Sequence, residues 1–125
     1  MSEELLKKLK YKTGRALVIG SVPEGFDLGV EADRTADGKY EFVMLFVGSS
    51  SEVREQFPQA LALLKEDAVF WVTYPKQSSK VKTDINRDSL WKLADEISDY
   101  RPVSNVAVDE KWSALRFRHK DKVKK

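Results

Sequence analysis

The feature that most constrains the fold is the apolar run YEFVMLFVG at residues 40–48, which is followed at once by a helix-like segment. Its length and its β-branched and aromatic content predict a central strand that is buried on both faces. Ser49 and Glu52 then have the spacing of a helix capping box. Five apolar positions beyond them fall on one helical face: Val53, Phe57, Ala60, Leu61 and Leu64. Pro58 interrupts this pattern and predicts either a kink or a second helix that begins near it.

The same order of strand and helix recurs along the chain. Three further runs predict strands: RALVIG at residues 15–20, VEAD at residues 30–33 and AVFWVTY at residues 68–74. Helices are predicted at residues 2–9 and after residue 84, and the second of these has an apolar face: Leu90, Leu93, Ala94 and Ile97. Alternating strands and helices are typical of an α/β fold with a mostly parallel sheet.

The C-terminal segment predicts an antiparallel hairpin. PVSNVAV at residues 102–108 and SALRFR at residues 113–118 resemble strands, and the DEKW between them has hairpin length. In the second of these strands the apolar side chains Leu115 and Phe117 alternate with two arginines. The two sets are therefore expected on opposite faces of the sheet.

Together these elements predict a single α/β domain at residues 1–118, followed by a basic, disordered tail at residues 119–125. The domain would be a small three-layer Rossmann-like sandwich whose mostly parallel sheet ends in the antiparallel hairpin. From Arg116 onward the chain carries six Lys/Arg and one Asp, or +5, so the other 115 residues sum to −3 within a total of +2. Such a tail can contact nucleic acid, but it is more often solvated. Nucleic-acid binding through the tail is therefore a third possibility and not the main expectation.

The composition excludes several chemistries. The 125 residues include no cysteine, which removes thiolate nucleophiles, disulfides and Cys-ligated zinc. His119 is the single histidine, so neither a Ser-His-Asp triad nor a histidine metal centre is expected. No stretch reaches the roughly 18 apolar residues that a membrane span needs, and the N-terminus does not resemble a signal peptide. These observations predict a cytoplasmic protein without a membrane partner, metal ion or organic cofactor.

The candidate binding site is the loop YPKQSSKVKTD at residues 74–84. It follows a strand, and ligands of open α/β sheets bind beyond the carboxyl ends of the strands. Its length exceeds that of most such connections, and its lysines and the adjoining helix start favour an anion. The predicted ligand-binding residues are Tyr74, Lys76, Ser78, Ser79, Lys80, Thr83, Asp84 and Arg87. The alternative is a solvated connection whose polar residues only cap the next helix.

The connection after the first strand is a weaker candidate. VIGSVPEGF contains two glycines but lacks G-x-G-x-x-G, and the nine residues from Ser21 to Gly29 are too few for a helical crossover. Glu31 or Asp33 resembles the acidic residue that holds a ribose in dinucleotide-binding folds.

The three tryptophans, Trp71, Trp91 and Trp112, are expected within the core or at its edge. Trp112, next to the predicted hairpin turn, could instead stack on a ligand or a partner.

Five motifs give the chain a resemblance to a known family. They are SVPEGF at residues 21–26, LFVGS at 45–49, WVTYPKQSS at 71–79, VKTDINRD at 81–88 and VAVDEKWSALR at 106–116. In this combination they resemble the small bacterial family catalogued as domain of unknown function 3052, over about residues 14–118. That resemblance implies an α/β fold and no particular activity.

The order of strand, helix, strand, helix and hairpin also resembles the C-terminal half of S-adenosylmethionine-dependent methyltransferases, which end with a similar antiparallel hairpin. The chain departs from them in lacking a glycine-rich first loop and a full helix after the first strand. Our main interpretation is therefore a non-catalytic module that binds an anionic small molecule or the acidic surface of a protein partner. The alternative is a divergent S-adenosylmethionine-dependent methyltransferase-like enzyme, with its ligand near Gly20, Glu31 and Ser49.

Overall fold

The structure is a computed structural model, and it describes residues 15–20, 33, 38–75, 85, 87–108 and 112–119. These residues form five strands and two helices. In chain order they are β1 (Ala16–Gly20), β2 (Tyr40–Phe46), α1 (Ser50–Leu61), β3 (Leu64–Pro75), α2 (Arg87–Ile97), β4 (Tyr100–Ala107) and β5 (Trp112–His119).

The five strands form one sheet in the order β1-β2-β3-β5-β4. The strands β1, β2 and β3 are parallel, and β5 runs antiparallel to both of its neighbours. Four of the five strands therefore share one direction, although two of the four pairings are antiparallel. The α/β class and the terminal hairpin are confirmed. The mostly parallel character holds for the strand directions but for only half of the pairings.

Both helices lie on one face of the sheet, where they bury their apolar stripes. Phe57 of α1 packs edge to face on Phe70 and Phe117, with ring centroids 5.3 and 5.2 Å away. The predicted inner face of α2 is confirmed, since Leu90, Leu93 and Ala94 are buried and Ile97 packs against the same cluster. Each fully buried Leu or Phe side chain stabilises the fold by about 1.5–3 kcal/mol through apolar burial.

The opposite face of the sheet carries a second, separate apolar cluster: Ala16, Val18, Phe42, Met44, Phe46, Trp71 and Ala114. Neither α1 nor α2 contributes to it. The helix predicted at residues 2–9, which would supply a third layer, lies outside the described residues.

Pro58 does not end α1, which continues through it to Leu61. A proline removes one hydrogen bond to the carbonyl four residues earlier, here that of Arg54. Both residues are exposed, so water can take the place of the missing N–H. The alternative of a second helix is therefore wrong, and Leu64, assigned to this helical face, instead begins β3.

The alternation predicted for β5 is confirmed: Leu115 and Phe117 are buried in the helix-side cluster, while Arg116 and Arg118, which alternate with them, are only partly buried. His119, which the sequence assigned to the tail, is the last residue of β5. Its ring packs edge to face on Tyr100 at 5.5 Å.

Candidate functional site

The connections that follow β1 and β2 lead toward opposite edges of the sheet. Asp33 forms a parallel bridge with Leu17, through bonds of 2.9 Å that join its backbone to Ala16 and Val18. Backbone groups of a strand alternate between its two edges. The Arg15 carbonyl accepts from the backbone N–H groups of Glu41 and Phe42 in β2, so Asp33, which bonds to Ala16 and Val18, lies on the edge of β1 away from β2. The connection after β1 thus leads outward, while the one after β2 leads to β3. The carboxyl ends of β1 and β2 therefore flank a topological switch point, where open α/β sheets bind ligands.

Gly20 ends β1 at this point and lies directly against β2. Its φ of +95° is a backbone conformation that favours glycine. A Cβ on Gly20 would lie 2.1 Å from the carbonyl oxygen of Phe46, which no side chain tolerates. The sharp turn and the close approach together require a glycine here, although the flanking sequence has no dinucleotide-binding motif.

The predicted capping box at the start of α1 is confirmed. The Ser49 hydroxyl accepts from the backbone N–H of Glu52 at 3.3 Å. The Glu52 carboxylate folds back and accepts from the backbone N–H of Gly48 at 2.5 Å. These two bonds satisfy the backbone N–H groups of Gly48 and Glu52, and they hold a carboxylate at the start of α1, where it opposes a second anion. This part of the sheet edge suits a neutral or cationic group better than a phosphate.

Two of the eight predicted ligand-binding residues lie within the described part of the chain. Tyr74 is 5% exposed, and its hydroxyl accepts from the Asn105 amide at 3.1 Å. Arg87 is exposed in the first turn of α2, with its Nε 3.8 Å from Asp88. The other six lie outside the described residues: Lys76, Ser78, Ser79, Lys80, Thr83 and Asp84.

Two polar side chains that the sequence did not indicate, those of Asn105 and Ser113, lie next to Tyr74. The buried Ser113 of β5 contacts the Asn105 side-chain oxygen at 3.5 Å and the carbonyl of Val106 at 3.4 Å. Ser113 pairs directly with Tyr74 across β3 and β5. The three side chains of Tyr74, Asn105 and Ser113 therefore connect three neighbouring strands near the carboxyl edge. Only their cross-strand register brings them together, so no local pattern could have revealed them.

Asp33 does not lie at this edge, which corrects one of the two assignments for a ribose-holding acid. Its partner Leu17 is the second residue of β1, and its carboxylate accepts from the Tyr40 hydroxyl at 2.6 Å and from Arg15 at 3.2 Å. The Tyr40 hydrogen bond, together with Arg15, lowers the pKa of Asp33 despite an opposing effect of desolvation. Its carboxylate is thus engaged at the amino end of the sheet. Glu31, the other candidate, lies outside the described residues.

The three tryptophans differ in how far they are exposed to solvent. Trp71 is fully buried, as predicted. Trp91 is 43% exposed, so its assignment to the core is wrong: it falls between the positions of α2 that face the sheet. Trp112 is partly buried and meets Phe46 edge to face, with ring centroids 5.2 Å apart.

Within the described ranges, no three His, Cys, Asp or Glu side chains are grouped so that they could hold a metal ion. No helix in the same part of the chain is long and apolar enough to cross a membrane.

Comparisons with known proteins bear on the fold. No protein-family model and no curated protein matches the chain. Among solved structures, it is similar to a ribosomal protein L11 methylase from Lactobacillus delbrueckii subsp. bulgaricus, with a TM-score of 0.59, 9% identity, and 94% of this chain and 76% of that one covered.

LepI in complex with SAH and a substrate analogue gives a TM-score of 0.57 at 10% identity, with 94% of this chain and 39% of that chain covered. A protein of the NADB-Rossmann superfamily from Streptococcus agalactiae gives 0.51 at 14% identity, covering 95% of this chain and 68% of that one. The chain therefore has the Rossmann-like fold found in S-adenosylmethionine-dependent methyltransferases.

Proposed function

We propose that this chain is a divergent methyltransferase-like domain that binds S-adenosylmethionine in the crevice between the carboxyl ends of β1 and β2. The observation that carries the proposal is the switch point, since the Asp33 bridge and β2 lie on opposite edges of β1. The similar structures support it, because two of the three are described by their methyl-transfer activity or by bound SAH.

The residues around the crevice fit such a ligand. Gly48 carries no side chain, and only the flexible end of Glu52 lies near its missing Cβ, so a ligand can approach the backbone just beyond β2 closely. At Gly20 the missing Cβ instead makes room for the backbone of Phe46, which brings the ends of β1 and β2 together. S-adenosylmethionine carries a positive sulfonium, and the Glu52 carboxylate at the start of α1 favours a cation over a phosphate. In this proposal Gly20, Gly48 and Ser49 would contact the ligand, which would supply the methyl group for transfer.

The charge at this edge separates the proposal from our main interpretation of the sequence, a module for anions. The Glu52 carboxylate opposes an anion at the start of α1. Anion binding by the loop at residues 74–84, and an acidic protein partner for it, remain predictions. So do membership of the domain of unknown function 3052 family and a cytoplasmic location.

The test is an amide NMR titration of the labelled full chain with S-adenosylmethionine, and separately with ATP and inorganic phosphate. We expect saturable shifts from S-adenosylmethionine at residues 18–20 and 46–52, and none there from phosphate. A variant, Gly48→Val, should bind at least about tenfold more weakly, because the added side chain enters the crevice. Its Cβ would meet only the flexible end of Glu52, at 3.1 Å, so the variant should still fold.

The matched control is Ser51→Val, which places the same branched side chain at an exposed position of α1, three residues after Gly48. It should leave the affinity unchanged. Saturable shifts from phosphate near Tyr74 and Arg87 would instead support the anion-binding loop. An absence of any saturable response to S-adenosylmethionine would refute the proposal.

A further inference from the structure

Thr73 lies beneath a pair of aromatic rings on the face of the sheet opposite α1 and α2. It pairs with Phe46 of β2 on one side and with Ala114 of β5 on the other. Neighbouring strands lie about 4.8 Å apart, so β2 and β5 are separated by about 10 Å with β3 between them. The rings of Phe46 and Trp112 nevertheless have centroids only 5.2 Å apart. Because Phe46 pairs with Thr73 and Trp112 pairs with Pro75, the two rings lean toward each other across β3, between Thr73 and Pro75.

The Thr73 hydroxyl has no hydrogen-bond partner among the described residues, although the residue is completely buried. Buried hydroxyls are almost always paired, and leaving one unpaired destabilises a fold. A valine would fill the same space without a polar atom. The fold thus holds an unused hydrogen-bonding group in an apolar setting of Phe46, Trp71 and Ala114.

We propose that this position is a binding site for a neutral, planar heteroaromatic group. Such a group would stack against Phe46 and Trp112 and would bond to the Thr73 hydroxyl through a ring nitrogen or oxygen. Aromatic side chains favour flat partners, and the residue that pairs with Thr73 on β5 is Ala114, whose side chain is small. An ionised group is disfavoured, because the surrounding side chains are apolar.

Trp112 is the ring that can admit a ligand. It is the first residue of β5 and is partly buried, whereas Phe46 is fully buried. A change of its side-chain rotamer would uncover Thr73 without disturbing the sheet. The site involves β2, β3 and β5, and so is distinct from the crevice between β1 and β2. The inference therefore does not depend on S-adenosylmethionine binding.

The experiment uses the full chain labelled with 5-fluorotryptophan, observed by ¹⁹F NMR, with the Trp112 resonance assigned from Trp112→Phe. The probes are quinoline, whose ring nitrogen accepts a hydrogen bond, and naphthalene, which has the same shape and no acceptor. We expect a saturable shift of the Trp112 resonance with quinoline. Thr73→Val should weaken quinoline about 3–10-fold, as expected for one neutral hydrogen bond, and leave naphthalene unchanged. Thr73→Ser should retain quinoline binding.

A thermal melt shows whether Thr73→Val acts on the fold. The Tm of Thr73→Val should equal that of the wild type or lie a few degrees above it, because the substitution removes an unpaired buried hydroxyl. Weaker quinoline binding with an undiminished Tm would support the site. The inference fails if quinoline does not shift Trp112, or if Thr73→Val affects both probes equally. It also fails if S-adenosylhomocysteine displaces quinoline competitively, which would show a single site.

Discussion

The two ends of the sheet differ in how their polar groups are used. At the amino end, Arg15 lies over the ring of Tyr40, 4.4 Å from its centroid, and contacts Asp33, while Lys65 pairs with Glu41. The Arg15 backbone N–H also donates to Glu41, so these side chains form one connected network. At the carboxyl end, Gly20 lies against β2 through its backbone and has no side chain to make contacts. The buried Thr73 hydroxyl there has no partner among the described residues.

The contrast agrees with the proposal that the carboxyl end of the sheet binds the ligand, whereas the amino end stabilises the fold. Charges that pair with one another fix the strands and leave nothing for a ligand. Backbone that no side chain covers, and a buried hydroxyl without a partner, make the fold slightly less stable. Both can still contact a ligand. This division agrees with the general rule that α/β sheets bind ligands at the carboxyl ends of their strands.

The largest expected effect on the free energy of unfolding comes from a Gly→Ala variant, and the two ends of the sheet each offer one glycine for the comparison. Gly20→Ala should lose about 3–5 kcal/mol of unfolding free energy or fail to fold, because its Cβ would meet the backbone of Phe46. Gly38→Ala should lose only about 1–2 kcal/mol. Gly38 also has a positive φ, of +84°, but its nearest neighbour is the flexible end of Arg15. Urea denaturation measures both, and equal losses would contradict the close approach of β1 to β2.

A smaller effect is expected at the start of α1, where the capping box of Ser49 and Glu52 lies at the carboxyl end of the sheet. Ser49→Ala should cost about 1 kcal/mol, the usual value for a lost helix cap. The control Ser51→Ala changes the same residue type at an exposed position two residues later and should be neutral. If both variants melted like the wild type, the capping box would not stabilise α1, and the Glu52 carboxylate would not be held in place.

Local patterns predicted the strands and the cap correctly because their signals are local. Apolar runs identified β2 and β3, and alternation placed Leu115 and Phe117 on the buried face. The spacing of Ser49 and Glu52 gave the capping box. The exposure of Trp91 was missed although a signal existed. The positions of α2 that face the sheet are Leu90, Leu93 and Ala94, spaced by three and four, and Trp91 does not belong to that series.

The candidate site was less predictable because it depends on strand order. The switch point requires knowing that Asp33 and β2 lie on opposite edges of β1, which no spacing in the sequence encodes. Thr73 looks like an ordinary strand residue, since threonine has a high β propensity. Its unpaired hydroxyl becomes apparent only when Phe46 and Trp112, more than sixty residues apart in the sequence, are found in contact above it.

The smallest effect tests whether the amino-end network depends on ionised carboxylates. Tyr40→Phe removes the hydrogen bond that is the main cause of the lowered pKa of Asp33. A carboxyl whose pKa is lower in the folded state stabilises the fold above its unfolded pKa, near 3.8, and loses that effect as the pH falls through the folded pKa. The variant should therefore melt a few degrees below the wild type at about pH 7, and the difference should shrink at about pH 2.

The matched control for this pH dependence is Tyr74→Phe at the carboxyl end. The Tyr74 hydroxyl accepts from the neutral amide of Asn105, so its loss should lower the melting temperature by a similar amount at both pH values. Glu41, whose pKa is lowered by Lys65 and by the backbone N–H of Arg15, titrates in the wild type and in both variants, and its effect cancels in each difference. If the Tyr40→Phe difference did not shrink in acid, the hydroxyl would not act through the Asp33 carboxylate. The two ends of the sheet would then hold their tyrosines by the same neutral contacts, and the contrast between them would rest on the glycines and Thr73 alone.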